Sequence, residues 1–419
     1  MHELAKRRDN LFNLMKENSV AVIFSGVSKI ATEDELYPFV VNNSFYYFTE
    51  IGQEHSVLLL IKGVSERKEY LFVDEYNELK EKWTGKRLTY EQASIISGLE
   101  NVYSMNNFEN MLNLALSKND NQYGAINNLY IDLTPEVKIG DLLSTQAFAE
   151  DLSSKHKGLE VLDVKPLITS LRMVKSPYEV DKMRSAINMT NLGINKLICE
   201  LRPGLMEYEL ADIFEFFGRQ HNRHGLAFST IVACGKNATC LHYPTQSSPV
   251  TNNSLILFDL GYKHDGYCAD ISRTFPVNGK FEGMQKAVYE AVLLCNKEII
   301  KYAKPGLTIA DLQEKARQIL KGELVKLKLL KEDEDVTKYY YHNVSHHLGL
   351  DTHDASNREK PLEEGNVITV EPGLYIAELG IGVRIEDDVL ICKDHAECLS
   401  IEIPKEVADI EKLFKSKRR

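Results

Sequence analysis

The chain has 419 residues, 43% of them hydrophobic, enough for two or three domains with substantial cores. A formal net charge of -11 excludes a general affinity for nucleic acid or an anionic membrane surface, and no apolar run approaches membrane-spanning length. Residues 1–10 lead into an amphipathic helix rather than the apolar core of a signal peptide, so a soluble, cytoplasmic protein is expected. The cysteines are seven, an odd number, and show no C-x-x-C spacing, which suits reduced thiols. All of them lie at Cys199 or beyond, a first sign that the two halves are separate units.

From Leu11 to about Leu167 the pattern is mixed α/β. The runs AVIFSG, SVLLLIKG and EYLFVD read as strands, and the segments beginning at Tyr90 and Asn107 read as helices. Between Tyr37 and Glu50, YPFVVNNSFYYFTE is rich in aromatic and β-branched residues, so a half-buried strand and turn is expected there. The sole tryptophan, Trp83, sits in EKWTGKR beside Gly85 and Arg87, a setting that suggests a packing plug ahead of a contact to a ligand or subunit. Nothing in this half has metal-ligand spacing.

The join falls near Ser170 to Pro177, giving expected domains of 1–170 and 171–419. Ser176, Pro177 and Glu179 form a helix start, and apolar residues then recur from Val180 through Met183, Ile187, Ile194 and Leu197 until Arg202-Pro203-Gly204. The second domain contains a faint internal repeat. A helix closing on LRPGL and followed by MEYELADIFEFFG returns about a hundred residues later as one closing on AKPGL, followed by TIADLQEKARQIL, and strands follow each copy.

Each copy carries a pair of acids in strand-like sequence. In SLILFDLGYKHDGYCADISRTF the acids are Asp259 and Asp270. If the arms pair about the His264/Asp265 step, these two stand opposite each other with Cβ atoms ~5 Å apart. In NVITVEPGLYIAELGIGVRIEDDVLI they are Glu371 and Glu386, one on each side of the Glu378-Leu379 step. A buried carboxylate is costly unless a charge compensates it, and two held close together repel unless they share a proton or a metal. Two hairpins related by a pseudo-twofold axis would bring four carboxylates into one pocket, calling for roughly two divalent cations. Between them lies HNVSHHLGLDTHD, with His342, His346, His347 and His353. Carboxylates with one imidazole favour manganese first, with cobalt, iron or zinc as alternatives. Two such ions ~3.5–4 Å apart are equipment for hydrolysis.

The succession FDLG, CADISRTF, SHHLGLDTHD, TVEPGLY and GVRIEDD closely resembles the pita-bread metallopeptidases and, within them, the aminopeptidase P (Xaa-Pro aminopeptidase) branch. LFNLMKENSVAVIFSG, the YPF to NSFYYFTE stretch and EKWTGKR resemble that branch's amino-terminal domain more loosely. The resemblance implies an α/β (α+β) protein, with a creatinase/aminopeptidase P-like mixed-sheet domain ahead of a pseudo-twofold pita-bread catalytic domain. It implies that Asp259 ligates one metal, that His346 and Glu371 ligate the other, and that Asp270 and Glu386 bridge the two. Glu371 is also implied as the proton shuttle. His353 would hydrogen-bond the substrate carbonyl, and His242 in LHYP would line the pocket near the leaving proline. Arg384 would stabilise charge or contact a substrate carboxylate. By the same resemblance Trp83 approaches the active site of a neighbouring subunit, so a homodimer or homotetramer acting on Xaa-Pro peptides is implied.

Four positions depart from the family pattern: Asn343 where glycine is usual, His347 beside the ligand histidine, and Val40 and Val41 where Arg and Gln are usual. His342 and His347 are expected to be core or supporting residues rather than ligands. A nucleophilic Cys240 beside His242 is disfavoured, because an i,i+2 spacing does not bring a thiolate and a base together. The competing functions are prolidase, acting on Xaa-Pro dipeptides only, and a non-catalytic peptide-binding module of the same fold.

Overall fold

Two uninterrupted apolar strands, SVAVIF and VLLLIK, set the first half of the fold, because such strands need cover on both faces. The computed structural model describes residues 3–117, 123–134, 145–221 and 224–417. The chain divides into two compact units, Met1–Leu171 and Arg172–Arg419. The first unit runs α1 (Glu3–Leu14), β1 (Ser19–Phe24), α2 (Asn43–Thr49), β2 (Val57–Lys62), β3 (Arg67–Val73), α3 (Glu78–Thr84), α4 (Tyr90–Ser97), β4 (Val102–Ser104), α5 (Phe108–Leu116), β5 (Asn128–Ile131), α6 (Thr145–Lys155) and β6 (Glu160–Asp163). Its strands form one mixed sheet in the order β4-β3-β2-β1-β5-β6, in which β2 is antiparallel to both neighbours and the other pairings are parallel. Val20, Val22, Leu59 and Ile61 of the sheet pack against Phe108 and Leu112 of α5.

Two expectations for this unit are corrected. The aromatic stretch from Tyr37 to Glu50 is not a strand and turn: its second half is helix α2. The Asn42 side chain accepts the N–H groups of Ser44 and Phe45 at 2.8 and 3.4 Å, and this cap outweighs the β propensity of the aromatics. Phe45, Phe48 and Thr49 turn inward, whereas Val40 is 78% exposed. Nor is Trp83 a packing plug. It lies on α3, which buries none of its residues, and is itself 84% exposed.

Helix α7 (Lys165–Met173) is followed by α8 (Pro177–Glu200) and α9 (Glu207–His221). At the start of α8 the Glu179 carboxylate returns to accept the Ser176 N–H at 2.9 Å, and its other oxygen accepts the Tyr267 hydroxyl at 2.9 Å. Strands β7 (Ile231–Cys234), β8 (Leu255–Leu260), β9 (Lys263–His264), β10 (Tyr267–Cys268) and β11 (Ile271–Pro276) follow. The pattern then repeats: α10 (Gly283–Tyr302), α11 (Ile309–Lys326), β12 (Val367–Val370), β13 (Gly373–Ile376), β14 (Ile381–Arg384), β15 (Asp387–Ile391) and β16 (Ala396–Cys398), with α12 (Val407–Lys417) closing the unit. The sheets are β11-β8-β7, β12-β15-β16 and the two-stranded ladders β9-β10 and β13-β14. Each half is therefore a helix pair followed by antiparallel strands. Among the described residues no helix is long and apolar enough to cross a membrane, and the seven cysteines are unpaired.

A candidate metal centre between two hairpins

The first hairpin turns on two residues, Asp265 and Gly266, with φ of 46° and 82°. Both angles are left-handed, as a type I′ turn requires, and Asp-Gly is a favoured pair for it. His264 therefore pairs with Tyr267, and the register carries on to Leu260 with Ile271 and Asp259 with Ser272. The expected pivot at His264/Asp265 is thus one residue early, and Asp259 faces Ser272 rather than Asp270. Because the slip is two residues, Asp270 keeps the same face of the sheet. Gly261, just beyond Leu260, must lack a side chain: a Cβ there would come 1.9 Å from the carbonyl oxygen of Ala269.

The second hairpin has the expected register. Val370 pairs with Asp387 and Gly373 with Arg384, so Glu371 and Glu386 lie level with each other where one ladder gives way to the next. Between the hairpins His346 is held by its backbone N–H, which donates to Thr369 Oγ1 at 3.1 Å, and by its ring Nδ1, 3.0 Å from the carbonyl oxygen of His347. With Nδ1–H donating to that carbonyl, the Nε2 lone pair is free, and Nε2 lies 3.5 Å from both Asp270 Oδ2 and Glu371 Oε1. One ligand atom each from Asp270, His346 and Glu386 lies within 4.8 Å of the others.

Arg384 is hydrogen-bonded to one of these acids, Asp259. Its Nη2 donates to Asp259 Oδ2 at 2.6 Å, Nε to Ser272 Oγ at 2.7 Å and Nη1 to the Tyr375 hydroxyl at 3.1 Å. Ser272 in turn donates to Glu386 Oε2 at 2.7 Å, and Tyr375 lies 2.8 Å from His342 Nε2. Asp388 Oδ2 accepts the Asp270 N–H at 3.2 Å.

Four carboxylates, Asp259, Asp270 and Glu386 buried and Glu371 nearly so, share a cavity with two guanidiniums, Arg384 and Arg358, which leaves negative charge uncompensated. Burial, reinforced by Asp259 and Asp388, pushes the Asp270 carboxyl well above the usual range. Burial does the same to Glu386, with Asp270 and Glu371 adding to it. Glu371 is raised to about 7, with burial the main cause. Burial and then Arg384 push His342 down to about 3, so its imidazole is neutral. Burial and His346 lower His353 as well. Asp259 Oδ1 is buried without a hydrogen-bond partner. Crowded oxygens, an orphaned carboxylate atom and an aimed imidazole lone pair are a donor set that fits divalent cations.

These side chains line a cavity of about 480 Å³, within the range of ligand sites. Asp259, Asp270, His346, Glu371, Glu386, Arg384, His242 and His353 all reach it. Trp83 lies in the first unit and is not part of this lining. Cys240 is exposed and does not line the cavity. His347 is buried beside β12, while His342 lines the cavity with Tyr375 as its partner. A cavity in the first unit, lined by Asn42, Asp132 and Lys165 among others, has about 60 Å³ and admits only water.

Sequence reasoning missed Ser272, Tyr375, Asp388 and Arg358. The first three sit two or four strand positions from a named acid, so alternation would have put them on its face. Arg358 lines the cavity from a loop and carries no such periodicity. At the first hairpin's tip His224, His264 and Asp265 also converge, but His224 and Asp265 are engaged with each other and with a lysine. His224 Nδ1 accepts the Asp265 N–H at 3.3 Å, and Lys182 lies 3.6 Å from the Asp265 carboxylate.

Residues 181–393 match the family model of metallopeptidase family M24, and residues 4–123 match that of the aminopeptidase P N-terminal domain. A Xaa-Pro aminopeptidase of Haemophilus influenzae is 36% identical over 433 residues, spanning 98% of this chain and 97% of the relative. One from Escherichia coli is 31% identical, spanning 100% and 98%. The structure of aminopeptidase P from E. coli with the inhibitor Pro-Leu matches with a TM-score of 0.89 at 30% identity, covering 99% of this chain and 98% of that one.

Proposed function

The chain belongs to metallopeptidase family M24, and from that membership we propose that it removes the first residue from peptides whose second residue is proline. The observation that carries this reading is the convergence of Asp259, Asp270, Glu371, Glu386 and His346 on one cavity with too few cations to balance them. Asp259 would hold one divalent ion, His346 and Glu371 a second, and Asp270 and Glu386 both. Those ions, manganese first and cobalt, iron or zinc as alternatives, supply Lewis acidity toward the scissile carbonyl and an acidified water.

The remaining work falls to the chain's own side chains. Glu371 is the proton carrier, with an oxygen 3.8 Å from His342 Nδ1. His353 donates a hydrogen bond to the substrate carbonyl, and His242 lines the wall where the proline departs. Arg384 spends all three of its nitrogens on Asp259, Ser272 and Tyr375, which favours charge stabilisation over contact with a substrate carboxylate. Residues 171–419 are the catalytic domain and 1–170 the amino-terminal domain, and the working form is a homodimer or homotetramer. The exposure of Trp83 supports its reaching a neighbouring subunit's cavity. Seven unpaired cysteines suit a reducing, cytoplasmic setting.

Incubation of the manganese-loaded protein with an Xaa-Pro-Yaa peptide and with an Xaa-Pro dipeptide tests the reading. Release of Xaa from the longer peptide is expected. Cleavage of the dipeptide alone would make the protein a prolidase, and no cleavage together with no stoichiometric metal would make it a binding module.

A further inference from the structure

Glu207, the first residue of α9, is fully buried. Its carboxylate takes three neutral donors from one stretch of chain. Oε1 accepts the Cys234 N–H at 2.7 Å and the Asn237 side-chain amide at 2.9 Å, and Oε2 accepts the Ser248 N–H at 3.0 Å. The backbone adds two more ties, from Glu207 N–H to the Ser248 carbonyl at 3.1 Å and from Tyr208 N–H to the Gln246 carbonyl at 2.9 Å. Gln246, held at a left-handed φ of 45°, donates its side-chain amide to the Thr230 carbonyl at 2.7 Å. Both ends of the arc 234–248 are thus fastened to the first turn of α9. Between them Leu241 and His242 line the cavity. On its other side the arc abuts β14: a Cβ at Gly382 would come 2.2 Å from the carbonyl oxygen of Ala238.

We propose that Glu207 is a positioning residue for His242, its carboxylate closing the 234–248 arc so that the imidazole stands over the substrate. The inference rests on the function proposed for His242. Only a carboxylate suits the three donors. An amide has one acceptor oxygen and presents an NH₂ group to an N–H donor, leaving a buried donor unpartnered. Glu209 separately caps the helix by accepting the Met206 N–H at 2.7 Å, so the start of α9 does not depend on Glu207 alone.

Glu207→Gln in the manganese-loaded enzyme is expected to speed amide hydrogen exchange across 235–248 while metal content stays at the wild-type value. Its kcat/KM on an Xaa-Pro-Yaa peptide is expected to fall about 10- to 100-fold, as loss of buried donors' partners implies. In a His242→Ala background the same change is expected to cost less than about threefold, the non-additivity of two residues acting through one contact. Asn237→Ala, which removes one donor and no buried charge, should give the same pattern at smaller size should the first variant fold poorly. Equal losses in both backgrounds, or unchanged exchange in the arc, would overturn the assignment. A wild-type protein inert on Xaa-Pro peptides would count against the peptidase reading, while the exchange measurement would still decide whether Glu207 holds the arc.

Discussion

Glu386 and Asp387 are consecutive, equally buried and opposite in circumstance. Asp387 accepts Arg273 at 2.7 Å, Lys405 at 2.6 Å and the Ser400 hydroxyl at 2.7 Å. Burial would raise its pKa, but Arg273 and Lys405 outweigh that and hold the carboxyl well below its usual range. Glu386 points to the other face of the chain, where burial and the neighbouring acids raise it and Arg384 only partly offsets them. Depth alone therefore does not separate a structural acid from one proposed to hold a metal. What separates them is whether the fold has supplied the matching cation or left that charge to come from outside.

The contrast can be broken most directly at Asp270. Asp270→Asn should lower kcat/KM by about 10³-fold or more, since a metal's transition-state stabilisation is several kcal/mol. The metal-free variant should nevertheless melt no lower than metal-free wild type, because a repelled charge has gone. A large fall in Tm would turn Asp270 into a structural acid like Asp387. On the other side, Asp387→Asn should cost about 3–5 kcal/mol in denaturant titration, because two buried cations lose their anion. Should that variant keep wild-type stability, the proposed distinction fails.

Ser272→Ala sharpens the comparison by removing the hydroxyl between Arg384 and Glu386. A loss of about 10- to 100-fold in activity or metal affinity is expected, read by metal titration. The smallest effect is expected in the first unit, at Glu54. Burial raises this carboxyl, but hydrogen bonds from Ser28 and Arg87 outweigh it and bring the pKa to about 2. A depressed folded pKa gives stability that is present above the ordinary value of 4.5 and lost as pH falls toward about 2. Glu54→Gln should therefore cost no more than about 1 kcal/mol at neutral pH for this partly solvated pair, and the gap from wild type should close in that acid window. A gap that stayed constant with pH would mean the ion pair adds nothing.

The catalytic half could be read from sequence because carboxylates in apolar strands are conspicuous, and period-two alternation assigns them a face whatever the turn. That is why Asp259 and Asp270 share a face although the pivot was taken one residue early. The left-handed pair Asp265-Gly266 sets the true turn and moves its centre one residue along. The second hairpin was read in register because its pivot lies in a looser connection, Ala377 to Gly380, midway between the acids. Alternation could not supply the partners contributed by other strands. Neither Arg384 bonding Asp259 nor Asp388 receiving the Asp270 amide follows from spacing along one strand. In the first unit, α2 was missed because a seven-residue helix rests on one asparagine cap, a weak signal beside six aromatics between Tyr37 and Phe48.

The two-residue turn at Asp265 and Gly266 makes chain length, as well as residue identity, part of the site. An insertion or deletion of a single residue in the β8–β11 arms would rotate half of the hairpin's side chains through the sheet, sending Asp270 away from the cavity. Variation in that stretch is therefore confined to substitutions, to even-numbered length changes, or to growth of the tip beyond His264 and Tyr267, where no cavity-lining side chain is displaced.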